Sequence, residues 1–215
     1  MAKPTGGLLA FDARGSIGKT IVYSTWRGRN YVRRHVFPAN PQSPGQDLTR
    51  NTFSWLQQVW KEGPTLFQAP WALYAKGQVM TDRNAFGKFN IAALRSETDL
   101  ANFVFSPGAK GGPACSSITV VGAAGQITIE AVVPTPPTDW TLTEVDFGLI
   151  LDQDPQTDID YTIQTTFDAS PTPFQAVFTG LANGTWWGAA WPKWLKPDGI
   201  SVAYGPAIKL SDTVP

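Results

Sequence analysis

From Ser117 to the C-terminus, apolar and polar residues alternate with a period of two, in short runs separated by Gly, Pro, Asn, Asp and Ser. Side chains of a strand point alternately to its two faces, so this pattern builds half-buried strands and not helices. The runs fall at residues 117–121, 126–133, 144–151, 161–166, 174–179, 185–191 and 200–208. Short strands at this spacing, over about 100 residues, predict an all-β sandwich.

The chain ahead of that stretch has a different texture. Residues 20–26, Thr-Ile-Val-Tyr-Ser-Thr-Trp, are β-branched and aromatic and read as a strand. Arg27-Gly28 makes the turn, and residues 29–36 return. Ser43 before Pro44 marks a helix start, and Leu48, Phe53, Leu56, Val59 and Trp60 follow near helical spacing up to Gly63-Pro64. A second helix holds Trp71, Leu73 and Tyr74 and ends at Gly77. A third starts near Thr81 and carries Phe86, Phe89, Ile91 and Leu94. Residues 106–116, rich in Gly and Pro, read as a linker. The expected organisation is an α+β region over 1–105 (extended arm, hairpin, small helical cluster), a linker at 106–116, and an immunoglobulin-like sandwich over 117–215.

The net charge of zero conceals an asymmetry. Residues 1–110 hold 14 Lys/Arg against 6 Asp/Glu, and residues 111–215 hold 3 against 11. Such a split points to two surfaces that pair with each other or with different partners. Cys115 is the single cysteine, so no disulfide forms within the chain. No apolar run reaches signal-peptide or membrane-span length. The expectation is a protein made in a reducing cytoplasm, with no membrane partner.

Several segments resemble chemical motifs. Residues 13–20, Ala-Arg-Gly-Ser-Ile-Gly-Lys-Thr, fit a loose phosphate-binding loop. That loop needs a helix after it, to aim N–H groups at phosphate, and here Ile21-Val22-Tyr23 favours a strand. Arg27, Arg29, Arg33 and Arg34, interleaved with Tyr31, resemble a nucleic-acid surface; docking on an acidic protein is the stronger reading. Strand alternation would put Arg29, Tyr31 and Arg33 on one face. Residues 152–160 offer four aspartates as a Ca²⁺ candidate, without the Gly and Glu of the helical calcium loop. His35 is the only histidine, and no nucleophile–base or Cys/His metal spacing is present. The expectation is a non-enzyme with no cofactor and no metal.

Four of the nine tryptophans lie within residues 186–194. Pro192 and Pro197 predict a loop there, which would expose Trp191 and Trp194 for a protein interface or for stacking on a sugar.

Two resemblances follow. Residues 178–190, Phe-Thr-Gly-Leu-Ala-Asn-Gly-Thr-Trp-Trp-Gly-Ala-Ala, resemble the late part of a fibronectin type III domain, with Trp187 at the usual Tyr. In the N-terminal half, Gly15-Ser16-Ile17-Gly18, Trp26-Arg27-Gly28-Arg29, Tyr31-Val32-Arg33 and Pro38-Ala39-Asn40-Pro41-Gln42-Ser43 come in order, with Gln46, Arg50, Phe53, Trp60, Trp71-Ala72, Tyr74-Ala75, Phe86 and Asn90 after them. This order is similar to phage and prophage structural proteins that join such a region to immunoglobulin-like domains. The resemblance implies a virion component with several copies in an assembly. It would be a capsid decoration (cement) protein on the major capsid protein, or a tail, neck or collar component. A carbohydrate- or host-surface-binding module is the alternative of another class. On the residues' own chemistry, Arg27, Arg29, Tyr31, Arg33 and Arg34 are the expected anchor and Trp191 and Trp194 a second, apolar contact.

Overall fold

The computed structural model describes residues 15–26, 29–37, 39–40, 42–95, 97–157, 160–170 and 173–215. The chain forms two compact units that divide between Gln42 and Ser43. The charge divides there too. Residues 1–42 carry seven Lys/Arg against one Asp/Glu, a net of +6, and residues 43–215 carry ten against sixteen, a net of −6.

The first unit is an antiparallel meander of β1 (Gly15–Ile17), β2 (Ile21–Trp26) and β3 (Arg29–Arg34), in that order. The segment that resembles a phosphate-binding loop is the β1–β2 hairpin. Thr20 N–H donates to the Ile17 carbonyl at 3.0 Å, and Lys19 takes a positive φ of 55° in the turn. A strand follows this turn, so no helix N-terminus stands there to cradle phosphate.

The second unit is α+β with antiparallel sheets, in three layers. Its helices are α1 (Pro44–Glu62), α2 (Thr65–Ala75) and α3 (Asp82–Leu94). In α1 the buried stripe is Thr52, Trp55, Leu56, Val59 and Trp60, spaced as one helical face. Thr81 caps α3 by accepting the Asn84 N–H on its hydroxyl at 3.2 Å. Pro70 lies inside α2 and is buried, although proline there removes a helical N–H.

The middle layer is a six-stranded sheet of β4 (Pro107–Ala109), β7 (Thr141–Leu151), β8 (Ile163–Asp168), β10 (Gly184–Leu195), β11 (Val202–Pro206) and β12 (Ile208–Val214). Its order is β4-β11-β10-β7-β8, with β12 also paired to β10. The third layer is β5 (Ser117–Ala123), β6 (Gln126–Val132) and β9 (Phe174–Thr179), in the order β5-β6-β9.

The middle sheet is buried on both faces. Val145, Phe147 and Leu149 of β7 join Ile127, Ile129, Ala131, Phe174, Ala176 and Phe178 of the small sheet in one core. On the opposite face Ile150, Ile163, Ala189, Trp191 and Tyr204 join the helices' Trp55, Leu56, Val59, Phe67, Trp71 and Phe86 in another. Gly148 of β7 makes the second core possible: a Cβ there would lie 3.0 Å from both the Phe105 and the Trp191 rings.

Two expectations are corrected here. Residues 106–116 are not a linker, because Pro107–Ala109 is a strand of the middle sheet, paired with β11. The helical cluster is not part of a separate anchoring region, because its core continues onto the sheet. The reason is that the last apolar residues before the Gly/Pro run, Phe103 and Phe105, are fully buried between the two layers.

Candidate interaction surfaces

The β1–β3 meander carries the predicted anchor. Its register pairs Ile21 with Arg34, Val22 with Arg33, Tyr23 with Val32 and Ser24 with Tyr31. Alternation therefore sets Val22, Ser24, Tyr31 and Arg33 on one face and Ile17, Ile21, Tyr23, Val32 and Arg34 on the other. Tyr31, Arg33 and Arg34 are exposed. Arg29 lies in β3, paired with Trp26, while Arg27 lies outside the described residues. Arg34 thus lies on the opposite face from Tyr31 and Arg33, in an apolar row.

None of the described residues of this unit is buried. Ile17, Ile21, Tyr31, Val32, Val36 and Phe37 are all exposed, Phe37 to 69%. A three-stranded meander gains independent stability from a covered apolar face, and the described residues of this one form no core among themselves.

The second predicted contact is overturned. Trp191 and Trp194 lie in β10, not in a loop, and both are 0% exposed. Trp191 stacks on Phe105 at 6.2 Å in the helix-side core, and Trp194 Nε1–H donates to the Pro113 carbonyl at 3.0 Å. The cause of the misreading is Pro192. β10 pairs with β12 through Ala190 and with β11 from Lys193 onward. Pro192 falls in the gap between those ladders, so its missing N–H removes no bond on that side, and the strand continues.

Beside Trp191 lies a polar group that the sequence reading missed. Asp146 stands opposite Trp191 in the β7–β10 ladder and is fully buried. Neither carboxylate oxygen reaches a protein partner at hydrogen-bonding geometry, nor does Trp191 Nε1. Burial pushes the Asp146 carboxyl up to about 7, with Glu144 adding to the rise and Lys193 and the Trp191 indole opposing it. Glu144 and Lys193 form a part-buried ion pair at 2.6 Å. Its one available signal in the sequence was an acid inside an otherwise apolar run, Val145-Asp146-Phe147.

In the acidic loop the carboxylates of Asp152, Asp154 and Asp160 accept backbone N–H groups of Leu100, Gln156 and Thr162 at 2.8–2.9 Å. Among the described residues no group of three or more His, Cys, Asp or Glu is placed to hold a metal; Asp158 lies outside them. His35, half-buried, packs edge-on against Phe37 at 4.6 Å.

Comparison with known proteins returns no matching family model, no similar curated protein and no matching solved structure.

Proposed function

We propose that this chain is a virion structural protein, non-catalytic, whose basic β1–β3 meander anchors it to another subunit of the particle. The observation that carries this reading is the meander itself. It has no buried residue among those described and four exposed large apolar side chains, with Val36 and Phe37 exposed just after it, in a segment (residues 1–42) of net charge +6. Apolar area left open in that way is stabilised by a partner surface, at about 25 cal/mol per Å² covered. The positive charge selects an acidic partner. The placement proposed is on the head, as a capsid decoration protein on the major capsid protein; a tail, neck or collar position is the variant of the same reading.

The proposal includes an immunoglobulin-like, fibronectin type III-like identity for residues 117–215. In chain order the sandwich strands are β5, β6, β7, β8, β9, β10 and β12. The first, second and fifth make one sheet, and the rest, with β4 and β11, make the other. The pairing of first, second and fifth strands against third, sixth and seventh supports this reading, with the fourth strand, β8, on the third strand's sheet instead of the first's. A second feature supports it. Trp186 is buried at the start of β10, and its Nε1–H donates to the Ala182 carbonyl four residues upstream at 3.0 Å. This does the work of the tyrosine corner, in which an aromatic hydrogen-bonds back to the preceding turn. In this reading Trp186 takes the tyrosine's place, while Trp187, expected there, packs against the helix-side core.

The carbohydrate-binding alternative relied on exposed Trp191 and Trp194. With both in the core, it has no observation in its favour.

The test is particle incorporation. Arg33→Glu with Arg34→Glu is expected to abolish co-purification with particles, while the melting temperature of the isolated protein stays unchanged. Normal incorporation of that double variant would refute electrostatic anchoring. Labelled electron microscopy of intact particles separates the head from the tail position.

A further inference from the structure

A groove opens where the C-terminus of α2 meets the turn after β4 and the β10–β11 hairpin. Its two lobes, about 560 and 590 Å³, share Leu73, Lys76, Gly77 and Lys110. The charged side chains that line it are Lys76, Lys110 and Lys196, and no carboxylate lines either lobe. In a unit where acids outnumber bases sixteen to ten, three ammonium groups around one groove run against the local balance. Their mutual repulsion is relieved by an anion.

Two of the lysines have partners at the groove. Lys110 Nζ donates to the Lys76 carbonyl at 3.3 Å, and Lys196 Nζ lies 5.0 Å from the Trp140 ring. Asp198, in the turn beside Lys196, directs its carboxylate at the Ile200 and Ser201 N–H groups, 2.9 and 2.7 Å away. Gly77 and Gly111 have positive φ values of 89° and 80°, and no atom lies within 4 Å of where a Cβ would sit on either. Both places are open to an approaching backbone. Leu73, Val202 and Ile200, the last 85% exposed, add an apolar wall.

We propose that this groove binds an acidic peptide segment of a partner protein, with its carboxylates against Lys76, Lys110 and Lys196 and an apolar side chain against Leu73 and Ile200. The volume is that of a site for an organic ligand or short peptide, and the apolar wall offers contact that an inorganic anion does not use. None of its lining residues belongs to the β1–β3 meander, so the proposal stands or falls independently of the anchoring proposal.

The experiment is fluorescence anisotropy on the full chain, with a labelled pool of capped hexapeptides that alternate Asp or Glu with Leu. Binding is expected at about 50 mM salt, with a marked loss at about 500 mM. Lys110→Glu with Lys196→Glu is expected to weaken it at least about tenfold, while Lys110→Arg with Lys196→Arg keeps it within about threefold. The charge-reversed variant gives up the Lys110–Lys76 and Lys196–Trp140 contacts, so its melting temperature and far-UV circular dichroism are measured alongside, which separates a lost site from a lost fold. Amide resonances of Gly77 and Gly111 are expected to shift on titration. No binding at low salt overturns the proposal. So does equal binding by the charge-reversed variant, equal binding of Asn/Gln analogues, or complete competition by inorganic sulfate, which would reduce the groove to an anion site.

Discussion

Asp146 is a carboxylic acid in an aromatic core, and its environment sets a pH dependence. Its carboxyl titrates near 7 in the folded chain against 3.8 for an ordinary aspartate. Between those values the unfolded chain is ionised while the folded chain holds its proton, so this group's contribution to stability falls as pH rises from about 4 to about 7. The loss is on the order of 4 kcal/mol at most. Asp146→Asn is therefore expected to stabilise the protein at pH 8 by up to a few kcal/mol, with the gain vanishing near pH 4. Urea unfolding at both pH values checks this, and an equal gain at both would count against it. The tryptophans near it are core residues. Trp191→Ala and Trp194→Ala are each expected to destabilise by about 3–5 kcal/mol, as large-to-small core changes do, a loss that a surface aromatic would not show.

Among the elements, β12 does the most to tie the layers together. It pairs with β10 from Gly184↔Val214 to Ala190↔Ile208. Lys209 Nζ reaches the Phe103 carbonyl at 2.6 Å and lies 5.5 Å from the Trp187 ring, on the helix side. Burial lowers its pKa to about 8, with Asp99 opposing the fall. On the other side, β12 approaches β5 of the small sheet. The Asp212 carboxylate accepts the Gly122 N–H at 2.7 Å, and a Cβ on Gly122 would sit 2.2 Å from the Thr213 carbonyl oxygen. Gly122→Ala forces those backbones apart. The expected loss is about 1–3 kcal/mol, read as a lower urea midpoint with an unchanged slope; a neutral result would mean that β12 shifts freely.

For the whole molecule, the boundaries that matter are those of the two cores. A fragment of residues 43–215 keeps both, and its melting temperature is expected within about 2 °C of the full chain. A fragment of residues 117–215 loses the helices and β4 and would expose Trp187, Trp191 and Tyr204 along one face of the middle sheet. It is expected to aggregate or to lack cooperative unfolding by calorimetry. A cooperative, soluble 117–215 fragment would contradict the three-layer account.

Local periodicity determined a good deal of this by itself. The helical spacing from Leu48 to Trp60, the Ser43-Pro44 start, the helix start near Thr81 and the alternation of 117–121 and 126–133 each depend on neighbours a few residues apart, and these elements formed where the pattern placed them; the run expected at 200–208 instead breaks into β11 and β12, and β12 continues to Val214. The shared face of Tyr31 and Arg33 followed from alternation in the same way. What the pattern did not carry was long-range partnership. Period two says that a strand has two faces, not that both are buried. The helical layer that covers the second face makes Trp191 a core residue and Asp146 a buried acid. A proline marks a break only if its strand needs that N–H, and whether it does depends on where β12 stops and β11 begins. The Gly/Pro run near residue 110 became a strand turn because Phe103 and Phe105 were drawn into a core whose rings come from as far away as Trp55 and Trp191. Sequence fixes local conformation through short-range sterics and spacing; burial and layer order come from apolar surfaces that meet only once the chain has closed on itself.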